Sequence, residues 1–317
     1  MEGVESDVWR KQMKFMITPA RTLITVGVGL AAVGVVALPG PPNTPDPRLS
    51  TAIRPVTAPA EGAYWHTRSL EKSTHPRWFG SGSNRYQLEE RQLSEIWILP
   101  DGRGWLGYRT LGVRPRSAAD EKAWRRDGSP STWTRTAEGQ IVSLSIKPDK
   151  GRVVRMGRPA VLSLADQRLS YEELQRLPAD PAGLRTWIEK AAQVWKVSEG
   201  AFDSYVAETL VQLLRRVPAP KEVRTAAYEA LPTVPGVRVL GKIKDSQGRV
   251  GEGFSIDLPG RGTTLVTSQV IVDTDTMLLA QSVRTTIGGR LFRDETSTET
   301  LLQVGWTDNE PAVPALP

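Results

Sequence analysis

Hydrophobic positions along this chain fall into three regimes: one unbroken apolar run near the start, two stretches that alternate with period two, and between them a stretch of period 3.6. The unbroken run, Ile17 to Leu38, reads ITPARTLITVGVGLAAVGVVAL. As a helix its 22 residues would cover about 33 Å, the hydrocarbon thickness of a bilayer. Arg21 sits near its start, where a long side chain reaches back to the headgroups. Arg10, Lys11 and Lys14 precede the run, and no positive residue follows it until Arg48. The charge asymmetry puts the N-terminus in the cytoplasm and the rest of the chain outside. A cleaved signal peptide is the competing reading, with small residues at Val35-Val36-Ala37, but the apolar run exceeds a usual signal core. These patterns predict a short cytoplasmic N-terminus at 1–14 and a transmembrane helix at 15–38. Residues 39–62, with seven prolines between Pro39 and Pro59, predict an extended linker.

Period-two alternation begins at Tyr64-Trp65-His66-Thr67 and returns at Ser94–Leu99 and Trp105–Thr110, the last two joined by the turn signal Pro100-Asp101-Gly102-Arg103-Gly104. Ile141–Ile146 and Arg152–Met156 continue the meander. Ser117 to Ser131, charged and rich in small residues, reads as a surface loop.

The period then lengthens. Asp180-Pro181 places a capping carboxylate before a proline at the first helical position, and Leu184, Trp187, Ile188 and Ala191 share one face. Phe202, Tyr205, Val206, Thr209, Leu210, Leu213 and Leu214 form a second stripe, stopped by Pro218 and Pro220, and a third helix runs from Lys221 to Leu231. Aromatic residues at helical spacing are packing residues, so Trp187, Phe202 and Tyr205 are assigned to the core. After Gly236, strands return at Val237–Ile243, Arg249–Ile256, Thr264–Val272, Met277–Ile287 and Glu299–Trp306.

Strands before and after a helical block predict an α+β fold: a curved antiparallel sheet over 63–307 packed on a few helices, followed by a flexible tail at 308–317. By analogy of shape this is a half-barrel like that of lipoprotein carriers. Two sheet domains bridged by the helices are the alternative arrangement.

Composition narrows the chemistry. The chain has no cysteine and two histidines, His66 and His75, which excludes disulfides, thiol nucleophiles and cysteine-ligated metal. No metal or cofactor site is expected. From Ala63 to Arg135 there are thirteen Lys/Arg against eight Asp/Glu, along with six of the ten tryptophans. Such a stretch attracts anionic partners such as lipid headgroups or acidic wall polymers; a nucleic-acid partner is not expected.

Catalytic patterns are absent. Gly251-Glu252-Gly253 and Gly260-Arg261-Gly262 lack the strand–loop–helix context of a phosphate cradle. Asp273-Thr274-Asp275-Thr276 lacks the glycine and glutamate of a calcium loop. Glu89-Glu90, Glu172-Glu173 and Asp294-Glu295 are sequence neighbours, whose side chains diverge in a strand or helix. His66 belongs to a strand, and His75 precedes Pro76 in a loop.

Leu177-Pro178-Ala179-Asp180-Pro181, the helix end Leu213-Leu214 before Pro218-Ala219-Pro220, the run Arg224 to Leu231, and Pro235-Gly236-Val237 with Gly241, Asp245 and Gly248-Arg249 carry a resemblance. They resemble an actinobacterial family of uncharacterised single-pass membrane proteins often encoded beside extracytoplasmic-function sigma factors. The resemblance spans Tyr64 to about Thr285 and implies a role in sensing at the envelope. It transfers no catalytic residues. Members have a longer cytoplasmic stretch than the residues preceding Phe15 here.

The expectation is therefore a non-enzymatic, membrane-anchored extracytoplasmic binding or sensing protein. Its ligand would be a lipid or an anionic envelope component. An envelope hydrolase using carboxylates assembled by the fold is the alternative, and a partner-binding modulator of a neighbouring membrane or sigma-factor system is a third reading.

Overall fold

The computed structural model describes residues 62–137, 140–156, 162–215, 217–258, 265–287 and 295–317. The expected transmembrane helix, the linker and Gly260-Arg261-Gly262 lie outside the described residues. Among the described residues no helix is long and apolar enough to cross a membrane.

Among the described residues, thirteen strands and five α-helices follow one another. The first group is β1 (Tyr64–Ser81), β2 (Asn84–Ile98), β3 (Gly104–Pro115), helix α1 (Ala118–Arg126), β4 (Thr132–Ala137), β5 (Gln140–Ser145) and β6 (Arg152–Arg155). A small β7–β8 hairpin (Ser163–Leu164, Gln167–Arg168) leads into helices α2 (Tyr171–Gln175), α3 (Pro181–Val194), α4 (Glu199–Arg215) and α5 (Lys221–Ala230). Strands β9 (Val237–Lys244), β10 (Val250–Leu258), β11 (Leu265–Asp273), β12 (Leu278–Ile287) and β13 (Glu295–Thr307) close the domain. Nine strands build one large, open, curved antiparallel sheet in the order β6-β3-β2-β1-β13-β12-β11-β10-β9. The α+β expectation holds at this level. The pairing of β1 with β13, from Tyr64↔Thr307 to Ser73↔Ser297, joins the two strand blocks into one sheet and leaves no separate sheet domains.

Helix α3 starts where Asp180 accepts a hydrogen bond from Gly183 N at 2.7 Å with Pro181 behind it, as the capping pattern requires. Val206, Leu210, Leu213 and Leu214 of α4 are fully buried, with Leu184 and Ile188 of α3 and Val223 and Ala227 of α5. Against them pack Trp65, Ile98, Phe254, Ile256, Val270, Val272, Leu279 and Leu301 from the sheet. We call the sheet face carrying these residues the inner face. Trp187, Phe202 and Tyr205 border this core, with Tyr205 OH donating to Ala165 O at 2.7 Å.

Residues 117–131 depart from the loop expectation. They form helix α1, capped by Ser117, whose hydroxyl accepts from Asp120 N. Only Ala123 is buried on α1, and a nine-residue helix with so narrow an apolar face leaves little periodicity to read. Tertiary contact supplies its stability: Ala123 and Trp124 join Tyr86, Leu88, Val113, Phe79, Trp133, Leu144 and Ile146 in a second apolar cluster. The β4–β5 hairpin belongs to this cluster and pairs separately from the main sheet, whereas β6 pairs with β3 at the sheet edge.

Strands β1 and β2 also run much further than their alternation suggested, meeting at a turn where Gly80 has φ +78° and a Cβ would lie 2.1 Å from Asn84 O. Residues 308–317, expected as a flexible tail, lie along the outer face. Asp308 Oδ1 accepts from Ala63 N at 2.9 Å, Ala315 O accepts from Arg68 Nη2 at 2.8 Å, and Pro314 is buried. Gly107 permits the approach, since a Cβ there would sit 2.9 Å from Ala312 O.

Candidate functional site

Alternate residues of a strand share a face, and residues directly opposite in adjacent strands point to the same side. Along the inner face of β2 the order is therefore Ile98, Ile96, Ser94, Gln92, Glu90, Leu88 and Tyr86. Ile98 and Ile96 belong to the core beneath the helices, while Leu88 and Tyr86 belong to the second cluster. Polar residues occupy the interval between two apolar clusters on one face of one strand.

The register extends that interval across the sheet. Ser69 pairs with Ser94 and Leu301, Glu71 with Gln92 and Glu299, and Ser73 with Glu90 and Ser297. On β12, Ser282 lies opposite Glu299 and Arg284 opposite Ser297, while Glu295 stands at the start of β13 opposite Thr286. This belt holds Glu71, Glu90, Glu295 and Glu299 with Arg284, and helix α4 borders it. Arg215 of α4 forms an ion pair with Glu299, and Glu208 accepts from Arg284 Nη2 at 2.8 Å.

Charges of one sign set directly opposite one another weaken a sheet. The Glu71–Glu299 pair is such a case, offset at Glu299 by Arg215. Glu90 and Glu295 stand higher in energy. The protein surrounding Glu90 raises its pKa above the ordinary 4.5, with the negative charge of Glu295 as the second cause. This upward direction holds although 39% of the Glu90 side-chain surface meets solvent, because much of the remaining environment is protein in place of water. Burial raises Glu295 in the same direction. His75 completes the group: its Nε2 lies 3.8 Å from Glu90 Oε1, and its Nδ1 accepts from Arg77 N at 3.1 Å. That backbone bond requires an unprotonated Nδ1, so in the neutral ring the proton sits on Nε2, toward Glu90.

The other singled-out residues take structural places. His66 is buried on the outer face, its Nε2 2.9 Å from Glu95 Oε2, with its ring stacked on Trp97 and Arg68 3.0 Å from the other Glu95 oxygen. Glu89 pairs with Thr74 and Arg114, on the opposite face from Glu90. Glu173 closes a capping box with Ser170 at the start of α2, and Glu172 lines a solvent-open crevice with Asp101, Leu162 and Leu169. Asp273 is a turn residue that accepts from Asp275 N and Thr276 Oγ1. Gly251 and Gly253 are strand positions pressed against Val272 O and Ile243. Among the described residues no cluster of three or more His, Asp or Glu has metal-binding geometry.

The turn and packing residues behind the family resemblance also have structural explanations. Gly236, Gly241 and Gly248 all have positive φ. Asp245 accepts from Gln247 N, Arg249 N and Arg249 Nε, and Arg249 Nη2 donates to the carbonyls of Ala280 and Leu301. The β9–β10 turn is thereby tied to β12 and β13. Sequence reasoning missed Glu90 and Glu295 as a pair because 205 positions separate them in the chain. Their one signal was an acidic residue inside a stretch that alternates poorly.

No family model matches the chain, and no curated protein matches it. Among solved structures, a lipovitellin structure titled for its lipid–protein interactions is similar at 7% identity over 81% of this chain, with a TM-score of 0.19. The chain spans 27% of that protein chain's length.

Proposed function

We propose that this chain is a membrane-anchored binding or sensing protein without catalytic activity, held by residues 15–38, with its sheet domain on the extracytoplasmic side. The observation that carries the binding role is the polar belt between two apolar clusters on the inner face. Leu210, Leu213 and Leu214 fill the space beneath the helices, where an acyl chain would otherwise lie, so a polar ligand fits better than a buried lipid tail. Four glutamates and one arginine on the strands favour a cationic or hydroxyl-rich envelope molecule: ionised carboxylates accept hydrogen bonds, and a protonated Glu90 or Glu295 would donate one. The family resemblance, with its implied sensing role, points the same way.

The test uses the full chain in lipid nanodiscs, titrated with spermidine and with an N-acetylglucosamine trisaccharide while tryptophan fluorescence and thermal stability are followed. Saturable binding of either probe, weakened at least tenfold (~1.4 kcal/mol) by Glu90→Gln with Glu295→Gln, is the expected result. Absence of saturable binding, or equal binding by the double variant, overturns the assignment of the belt.

The raised proton affinities of Glu90 and Glu295 favour one second reading, an envelope hydrolase in which one carboxyl donates a proton and the other acts as base. Wall oligosaccharides incubated with the chain and analysed by mass spectrometry distinguish the two. Cleavage lost in Glu90→Gln would establish the hydrolase; intact substrate supports binding alone.

A further inference from the structure

Strand β6 is one edge of the nine-stranded sheet, and its surroundings are basic. Lys147, Lys150, Arg152 and Arg155 are all exposed, as is Arg103 in the neighbouring β2–β3 turn. Val154 stands among them with 40% of its surface open. Two carboxylates lie in the same region: Asp149 accepts from Thr110 N, Thr110 Oγ1 and Gly151 N, and Asp101 is paired with Arg103 at 2.7 Å and attracted by Arg155, so the five cations keep a surplus of three. Cations on an edge strand discourage pairing with another strand, and here they also create a positive surface around one exposed apolar side chain.

The position of this edge identifies what it meets. Arg155 pairs with Trp105 in the sheet, and Trp105 packs edge-on against Tyr64 with ring centroids 5.8 Å apart. Tyr64 is the first residue of β1, so the N-terminal start of the sheet lies beside the basic edge. We infer that this edge docks on the anionic phospholipid surface of the membrane that holds the chain, with Lys147, Lys150, Arg152 and Arg155 among the phosphates and Val154 at the headgroup boundary. The inference rests on the membrane-anchored reading above. Basic residues near an anionic leaflet are attracted to it, and the tether to the same membrane raises the effective concentration of that surface. Docking would lay β6 along the surface and leave β9, at the opposite edge of the sheet and eight strand spacings away, farthest from the bilayer.

Because the chain contains no cysteine, Val154→Cys offers a single labelling site, and Val239→Cys on β9, exposed at the opposite edge of the sheet, serves as the distant control. Each full-length labelled variant is reconstituted into phosphatidylcholine vesicles with or without phosphatidylglycerol, carrying a nitroxide-headgroup lipid as quencher. At position 154, quenching should be several-fold stronger in the anionic vesicles and should fade as salt approaches about 0.5 M, while position 239 stays indifferent. Reversal of Lys150, Arg152 and Arg155 to Glu should abolish the difference. Neutralisation of Lys147 and Lys150 to Gln should reduce it, in a variant that keeps the arginines. Equal quenching in both vesicle types, or quenching that survives the charge changes, overturns docking. Alkali-resistant flotation of the same samples separates the two readings. A chain that floats while its label ignores lipid charge keeps the anchor and loses the docking, whereas a chain that does not float loses both.

Discussion

Glu90 and Glu295 lie on one face of the sheet, on strands separated by β1, and the charge of Glu295 helps to hold the Glu90 carboxyl above the ordinary glutamate range. Both groups are more easily protonated in the folded protein than in the unfolded chain. A group of this kind contributes fully at low pH, and its contribution is lost as pH rises through its folded-state pKa. Glu90→Gln and Glu295→Gln should therefore raise the melting temperature at pH 7. The gain should shrink as pH falls through the carboxylate range and vanish below about pH 4, where the unfolded glutamate is protonated too. Thermal melts across that range check the sign; a loss of stability at pH 7 in either variant would contradict it.

The Asp245–Arg249 turn is expected to be worth more than a surface ion pair. The Asp245 side chain is 0% exposed, and Arg249 ties it to carbonyls on β12 and β13. Arg249→Ala leaves a buried carboxylate with backbone donors alone, at a cost of about 2–4 kcal/mol. Chemical denaturation should show the midpoint shift, and Arg249→Lys should recover only part of it, since one ammonium cannot reproduce the guanidinium fork.

Two apolar clusters separated by a polar belt predict two regions of distinct local stability. Leu88→Ala, in the second cluster, should cost about 2–5 kcal/mol locally. Hydrogen exchange should accelerate in α1 and the β1–β2 hairpin end, with α3 to α5 little changed. Leu210→Ala should do the reverse. Uniform acceleration throughout the chain in both variants would show the clusters to be one cooperative unit.

The Arg68 guanidinium bridges Glu95 and Ala315 O, joining the sheet to the C-terminal strap. Arg68→Ala should release residues 308–317, seen as faster exchange around Ala312–Ala315 and greater solvent exposure of Trp97. Loss of the charge-assisted bonds should cost about 1.5–3 kcal/mol, read from denaturant melts. Tryptophan fluorescence should shift to the red at the same time.

Local patterns determined a good deal of this protein. Asp180-Pro181 located the start of α3 and the stripe from Phe202 to Leu214 located the body of α4, because capping and amphipathicity act within a few turns of one helix. The strands after Gly236 were legible because β10 to β12 bury apolar residues along much of one face. The middle of β1 and β2 was illegible: at Glu71 and Ser73 on β1 and at Glu90 and Gln92 on β2 the inner face is polar, and alternation fades wherever both faces of a strand carry polar side chains. Helix α1 went unread because Ala123 and Trp124 gain their partners only from β2, β3 and the β4–β5 hairpin. The closure of β1 onto β13 decided more than any local feature. It joined two strand blocks into one sheet and set Glu71 opposite Glu299. It also brought Glu90 and Glu295 within electrostatic reach. Local pattern placed α3, α4 and α5 and the turns of the second strand block. Which carboxylates share a surface follows from the assembled sheet, because strand pairing between distant segments depends on the packing of the whole sheet.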